Sequence, residues 1–186
     1  MHLYIKNMVC NRCILVVQQE LDKLHIESCK VSLGEVELDA ELPKQMLDQL
    51  SYNLTALGFE LLDNSKQQLI EKVKNTIIKL VHHNEEEHNP NLSDILTKTL
   101  HKDYSYISNL FSEVEGITIE KYSINQKIER VKELIIYDEL SLSEIAYKLG
   151  YSSVAHLSNQ FKKVTGLTPS HFKTVGHAKR KPIDKI

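Results

Sequence analysis

A shift of 50 residues aligns the second half of this chain with itself. Leu92, Ser93, Ile95, Lys98, Ser108, Asn109, Phe111, Val114, Gly116 and Thr118 recur as Leu142, Ser143, Ile145, Lys148, Ser158, Asn159, Phe161, Val164, Gly166 and Thr168, ten identities in 31 positions without a gap. Self-similarity at fixed spacing means that one supersecondary unit is used twice, and two copies are too few for a solenoid. The apolar spacing from residue 91 onward is helical throughout. Residues 91–175 are therefore expected to be all-α and built from two equivalent pieces.

The second copy shows what the piece is. Ser141 and Glu144 have the S-x-x-E spacing of a capping box, opening a helix with Ile145, Ala146 and Leu149 inside. Gly150 ends it, at a position that commonly needs positive φ. Ser152 is the expected cap of the next helix, which buries Leu157, Phe161 and Val164 and stops at Gly166. A short helix, a tight glycine turn and a second amphipathic helix make a helix-turn-helix. At 100° per residue, Ala155, Ser158, Asn159 and Lys162 fall on the outward side of the second helix. Small and polar side chains there can approach base edges, and lysines can meet phosphates. With Ser153, Val154 and Lys163 they form the expected DNA-facing set. In the first copy Asp103 is the expected cap, Ile107, Leu110, Phe111 and Val114 the buried set, and Ser105, Ser108, Asn109 and Ser112 the outward one. A helix with Ile128, Val131, Leu134 and Ile135 joins the two. A plain helical bundle would share the periodicity but not the repeated caps and turn.

Charge runs the same way. Residues 1–90 hold 9 Lys/Arg against 14 Asp/Glu, net −5; residues 91–186 hold 14 against 11, net +3. No acidic residue lies between Glu144 and Asp184, a stretch that includes Lys148, Lys162, Lys163, Lys173, Lys179, Arg180 and Lys181. A basic stripe is the footprint of a polyanion partner, or a solubilising tail. The last eleven residues, 176–186, are read as a basic tail.

The first 64 residues alternate strand and helix signals. Leu3 and Ile5 share a strand face; Ile14, Val17, Leu21 and Leu24 follow at helical spacing; Cys29, Val31 and Leu33, then Val36, Leu38 and Ala40, alternate around Gly34. Pro43 suits a helix's first turn, Leu47, Leu50, Leu54 and Leu57 repeat the apolar spacing, Gly58 closes that helix, and Phe59 to Leu62 read as a last strand. The order β-α-β-β-α-β is the ferredoxin-like arrangement of two helices on one antiparallel sheet. Residues 65–90 are a connecting helix and linker: 66–83 read as one amphipathic helix with Leu69, Val73, Ile77, Leu80 and Val81 inside, and His82 to Asn91 as a polar break. The expected fold is thus α+β for 1–64, followed by an all-α double helix-turn-helix over 91–175.

Three cysteines make no disulfide framework and fit a reducing compartment. Cys10 and Cys13 form a C-x-x-C between the first strand and the first helix. Two such thiols can take one soft ion or form a reversible redox pair, or they can be a loop without ligand. A structural zinc site would want four ligands, and no second C-x-x-C exists. Cys29 is expected to be a small apolar core residue. His82, His83 and His88 beside Glu85, Glu86 and Glu87 read as a solvated loop rather than a metal site.

At the residues LSEIAYKLGYSSVAHLSNQFKKVTGLTPSHFK the chain resembles the AraC/XylS family of bacterial transcription regulators, including the G-x-T-P after the second recognition helix. SNLFSEVEG and KIERVKELI resemble the first unit and its linker helix. The resemblance covers roughly 91–174. It implies a DNA-binding domain with two recognition helices in successive major-groove segments, with double-stranded DNA and RNA polymerase as partners. His101 stands where the family's first turn usually has glycine, and no Lys or Arg lies between Lys102 and Lys121. The second unit is therefore expected to carry more of the electrostatics. Residues 3–63, with M-V-C-N-R-C and LGFE, resemble the heavy-metal-associated domain, which implies Cu(I) or another soft metal ion at Cys10 and Cys13; Asn7 replaces the customary glycine before Met8.

No run of 18 apolar residues and no signal-peptide pattern is present, so a cytoplasmic protein without membrane contact is expected. No Gly-rich phosphate loop, nucleophile elbow or H-E-x-x-H occurs, so an enzyme is not expected. The expected function is sequence-specific transcription regulation, responsive to a soft ion. The alternative is a copper-chaperone-like metal-handling protein with a helical partner-binding domain.

Overall fold

Alternation in β1 (His2–Lys6) puts Leu3 and Ile5 on one face, and both are buried. This strand is central in a four-stranded antiparallel sheet ordered β2 (Cys29–Ser32), β3 (Glu35–Leu38), β1, β4 (Glu60–Leu62). Two crossover helices, α1 (Asn11–Lys23) and α2 (Lys44–Ala56), bring Val17, Leu21, Leu50 and Leu54 into one core with Leu3, Ile5, Met8 and Val36. The computed structural model describes residues 1–26, 29–62, 65–83 and 91–175. The chain divides into two units, Met1–Thr76 and Ile77–Ile186.

Three positions in the first unit depart from the sequence pattern. Ala40 is exposed, because β3 ends at Leu38 where its ladder partners Cys29 and His2 also run out. Leu57 is exposed because it lies one residue past the end of α2, where the apolar stripe has outrun its packing. Pro43 stands at the N-cap rather than inside the first turn.

The β2–β3 turn depends on Gly34. Its φ is +78°, its carbonyl accepts from the Ile5 N–H at 3.0 Å, and an added Cβ would stand 1.8 Å from the Asn75 side-chain amide nitrogen. Left-handed backbone costs a non-glycine residue about 1–2 kcal/mol, and overpacking adds about 1–3. Gly34→Ala is expected to destabilise the first unit by roughly 2–4 kcal/mol, read as a lower midpoint in denaturant. An unchanged midpoint would mean that Asn75 moves aside at no cost.

The helix after β4 is not uniform. α3 (Ser65–Ile78) buries Leu69, Ile70, Val73 and Ile77, and Lys72 donates to the Tyr4 hydroxyl at 3.0 Å. It then widens into a π-helical turn, Lys79–His83. The changed register leaves Leu80 half-buried and lets His82 meet Gln126 at 3.0 Å. Gln126, wholly buried, also donates to the Tyr122 hydroxyl at 3.1 Å. Burial holds the His82 imidazole below its ordinary pKa, against the opposing effect of the Gln126 hydrogen bond.

In the second unit the sequence repeat is a structural repeat. The helices are α4 (Leu92–Leu100), α5 (Tyr104–Glu115), α6 (Ile119–Tyr137), α7 (Leu142–Lys148), α8 (Val154–Thr165) and α9 (Pro169–Val175). Asn91 caps α4 and Ser141 caps α7, the latter in a full capping box with Glu144. Asp103 and Ser153 cap α5 and α8; Gly116 and Gly166 close them. Each copy also holds an edge-on aromatic pair at the same offset. Phe111 and Tyr122 are 5.6 Å apart, Phe161 and Phe172 5.5 Å. Such a pair contributes about 0.5–1.5 kcal/mol beyond area burial.

Candidate nucleic-acid interface and cysteine loop

α8 is anchored from its inner side. Leu157 and Phe161 are wholly buried in a core with Ile128, Val131, Ile145 and Phe172, and Val164 is half-buried beside them. That fixes which residues face out: Ser153, Ala155, Asn159, Lys162 and Lys163 are exposed, and Val154 and Ser158 are half-buried at the margin. The cap is Ser153, not Ser152. Ser153 is extended (φ −164°) and its hydroxyl accepts the His156 N–H at 3.1 Å, while the Ser152 hydroxyl meets the His156 ring at 3.1 Å.

α5 is mounted on Ile107, Leu110 and Phe111, all buried. Ser105 and Asn109 are exposed, and Ser108 and Ser112 are half-buried. Val114, expected inside, is 47% exposed: it lies in the last turn, beyond the packed stretch. The outward face of α5 adds Glu113 and no cation. The outward faces of α5 and α8 are thus unlike in charge, with Lys162 and Lys163 on α8 only.

The turns differ as well. The left-handed residue is His101 (φ +51°) after α4 but Gly150 (φ +70°) after α7, so one residue separates it from the cap Asp103 and two separate Gly150 from Ser153. An ungapped offset of 50 pairs Gly150 with Leu100 instead.

Cys10 is the N-cap residue of α1, and the Cys13 N–H donates to its carbonyl at 3.0 Å. Their sulfurs are 3.5 Å apart as free thiols, both half-buried. Burial raises the Cys10 thiol, but hydrogen bonds from Cys13 and the Arg12 backbone, with the Arg12 charge, outweigh it and leave the thiol below its ordinary value. Burial and the neighbouring Cys10 push Cys13 up. The loop is held by the wholly buried Met8 and by Asn7, which adopts φ +71° and donates to the Gly58 carbonyl at 2.9 Å. Asparagine tolerates left-handed backbone, so it can stand where the resemblance led one to expect glycine. Among the described residues no group of three or more His, Cys, Asp or Glu side chains is placed to hold a metal ion. The Cys29 side chain and the segment with Glu85, Glu86, Glu87 and His88 lie outside the described residues.

Among the described residues no helix is long and apolar enough to cross a membrane.

A helix-turn-helix domain family matches residues 96–174. The chain is 28% identical over 101 residues to the HTH-type transcriptional regulator YtdP of Bacillus subtilis, covering 54% of this chain and 13% of that one. It is 28% identical over 131 residues to the regulator YdiP of Escherichia coli (68% and 43%), and 36% identical over 92 residues to the transcriptional regulatory protein YesN of Bacillus subtilis (46% and 24%). It spans less than half the length of each of these relatives. Two solved structures share the fold at 19% identity and a TM-score of 0.51. They are the C-terminal domain of AraT, a response regulator from Geobacillus stearothermophilus (64% of this chain, 92% of that one), and a transcriptional regulator described as AraC-type from Chromobacterium violaceum (62% and 100%). Doubled caps, doubled aromatic pairs and these matches agree that residues 96–174 resemble a helix-turn-helix domain family and share the fold of these solved structures.

Proposed function

We propose that the chain is a sequence-specific DNA-binding transcription regulator of the AraC/XylS type in which α8 is the principal reader of bases. The observation that carries this reading is the outward face of α8, where Asn159 stands exposed between Ala155 and the pair Lys162 and Lys163 on a helix clamped from behind by Leu157 and Phe161. Asparagine can pair bidentately with adenine, and lysines supply phosphate contacts. Ser153, Val154 and Ser158 border that face, and Ser105, Ser108, Asn109 and Ser112 of α5 form a neutral second contact. Double-stranded DNA is the first partner on this reading, and RNA polymerase the second.

The first unit, on the same proposal, is a ferredoxin-like domain of the heavy-metal-associated kind. Its β-α-β-β-α-β order and strand order β2-β3-β1-β4 support this. Two soft thiols 3.5 Å apart, one with a lowered pKa, suit Cu(I) or a similar soft ion, which Cys10 and Cys13 would hold.

The test is selection of binding sites from random duplexes. Wild type is expected to return a motif. Asn159→Ala is expected to relax one or two adjacent positions, each by about 1–3 kcal/mol of discrimination. A mutant motif identical to wild type would remove Asn159 from the reading set. No motif from wild type would refute the regulator.

A further inference from the structure

The link between α7 and α8 contains Tyr151, half-buried against the core, whose polar end also reaches α8. α7 ends in a tight reversal: the Gly150 N–H donates to the Tyr147 carbonyl at 3.0 Å and the Tyr151 N–H to the Ala146 carbonyl at 2.8 Å. Lys127 reaches across from α6 and donates to the Leu149 carbonyl at 3.0 Å, its ammonium 5.7 Å from the centre of the Tyr151 ring. Burial depresses the Lys127 pKa, as expected for a lysine drawn away from solvent to make this contact. Tyr151 then touches α8 at two points one turn apart. Its ring stands edge-on to His156 at 5.4 Å, and its hydroxyl donates to the Gln160 side-chain oxygen at 2.6 Å. The hydroxyl is sheltered enough for burial to push its pKa up to about 12.

We propose that Tyr151, supported by Lys127, is a positioning residue that sets the rotation of α8 about its own axis, and through it the sequence selectivity of the domain. The inference rests on α8 being the base-reading helix. Leu157 and Phe161 hold the back of α8, but an apolar contact is non-directional and permits small rotations. His156 and Gln160 lie on the flank of α8, between its buried and outward faces, where a directional bond resists that rotation. Base-edge hydrogen bonds from a short side chain such as Asn159 need placement to about 0.5 Å and 10–20°. Long, flexible lysines meeting phosphates do not. Loosening the grip should therefore reduce selectivity before it reduces general affinity for DNA.

The repeat supplies an internal contrast. Within the paired helices the 50-residue offset holds, and His156 and Gln160 correspond to Tyr106 and Leu110. Leu110 offers no side-chain acceptor, so α5 cannot have the equivalent bond. The clamp belongs to the copy that also carries the lysines.

The test uses the full chain and two duplexes, the motif selected by wild type and a scrambled one, at matched salt. Tyr151→Phe keeps the ring and removes only the hydroxyl. The expected result is a fall of roughly 3- to 10-fold in the ratio of affinities for the two duplexes, the scale of one net hydrogen bond. Affinity for the scrambled duplex and its salt slope should not change. Gln160→Leu should reproduce the loss, and the double variant should be no worse than either single one. Lys127→Met should move the same ratio, and Lys127→Arg should restore much of it. An unchanged ratio in Tyr151→Phe, or an equal loss on both duplexes, would overturn the inference while leaving the regulator reading in place. Absence of any preference in wild type would instead defeat the reading on which it rests.

Discussion

Replacing Lys162 and Lys163 together with alanine is expected to weaken binding to every DNA sequence alike. Both side chains are exposed on or beside the outward face of α8, and in the interval between Glu144 and Asp184 no acidic residue opposes them. Each phosphate contact releases condensed counterions, and the slope of log affinity against log salt changes by about 0.9 per contact on duplex DNA. Two lost contacts flatten that slope by about 1.8. If the lost contribution is wholly electrostatic, affinity should fall by about 60-fold at 0.1 M salt and the deficit should shrink toward nothing near 1 M. The ratio of selected to scrambled duplex should hold, since phosphate contacts carry no sequence information. A salt titration of wild type and double variant measures all of this. A parallel displacement of the two lines, with no change in slope, would mean that these lysines act on something other than phosphate.

The second large effect concerns the thiol loop. Cys10→Ser with Cys13→Ser is expected to abolish binding of Cu(I), offered from a competing chelator, while the fold persists, because serine is close to cysteine in size and both positions are only half-buried. In wild type, a bound ion can alter DNA affinity only if it binds the two DNA-competence states unequally. Within the second unit, the π-helical turn docks on α6 through His82 and Gln126, and α6 joins the two helix-turn-helix copies. Couplings of this type are typically about 1–3 kcal/mol, so a 5- to 150-fold change is expected, and operator DNA must change ion affinity by the same factor. Equal ion affinity with and without DNA would exclude coupling. Ion binding by the double serine variant would remove the loop from the mechanism.

What could be read from the sequence was what is local. The Ser141–Glu144 box, the cap at Asp103, the stops at Gly116 and Gly166 and the buried faces of α5 and α8 each depend on residues within a turn or two of one another. Where two local solutions were equally good, sequence could not choose: Ser152 and Ser153 are adjacent and both can cap, and only the backbone angle of Ser153 decides. Val114 and Leu57 show a second limit, since periodicity says which side faces inward but not how far the neighbouring packing extends. His101 shows a third. Residue identity aligned Leu100 with Gly150, whereas the left-handed turn falls one position later in a shorter link. The grip of Lys127 and Tyr151 on α8 needs three elements in place, and no spacing rule encodes it.

The buried link from His82 to Gln126 bears on where one folding piece stops and the next starts. The family match begins at residue 96, and the relatives' similarity would suggest cutting the chain near there to obtain an autonomous fragment. Such a cut would discard the π-helical turn, removing the His82 partner of a glutamine with no solvent access and uncovering the side of α6 on which that turn packs. Losing that hydrogen bond costs about 0.5–1.5 kcal/mol and the newly exposed apolar surface adds to it, a noticeable share of what a small helical domain possesses. The autonomous piece therefore starts upstream, near Ile77, inside a helix that also serves the unit before it.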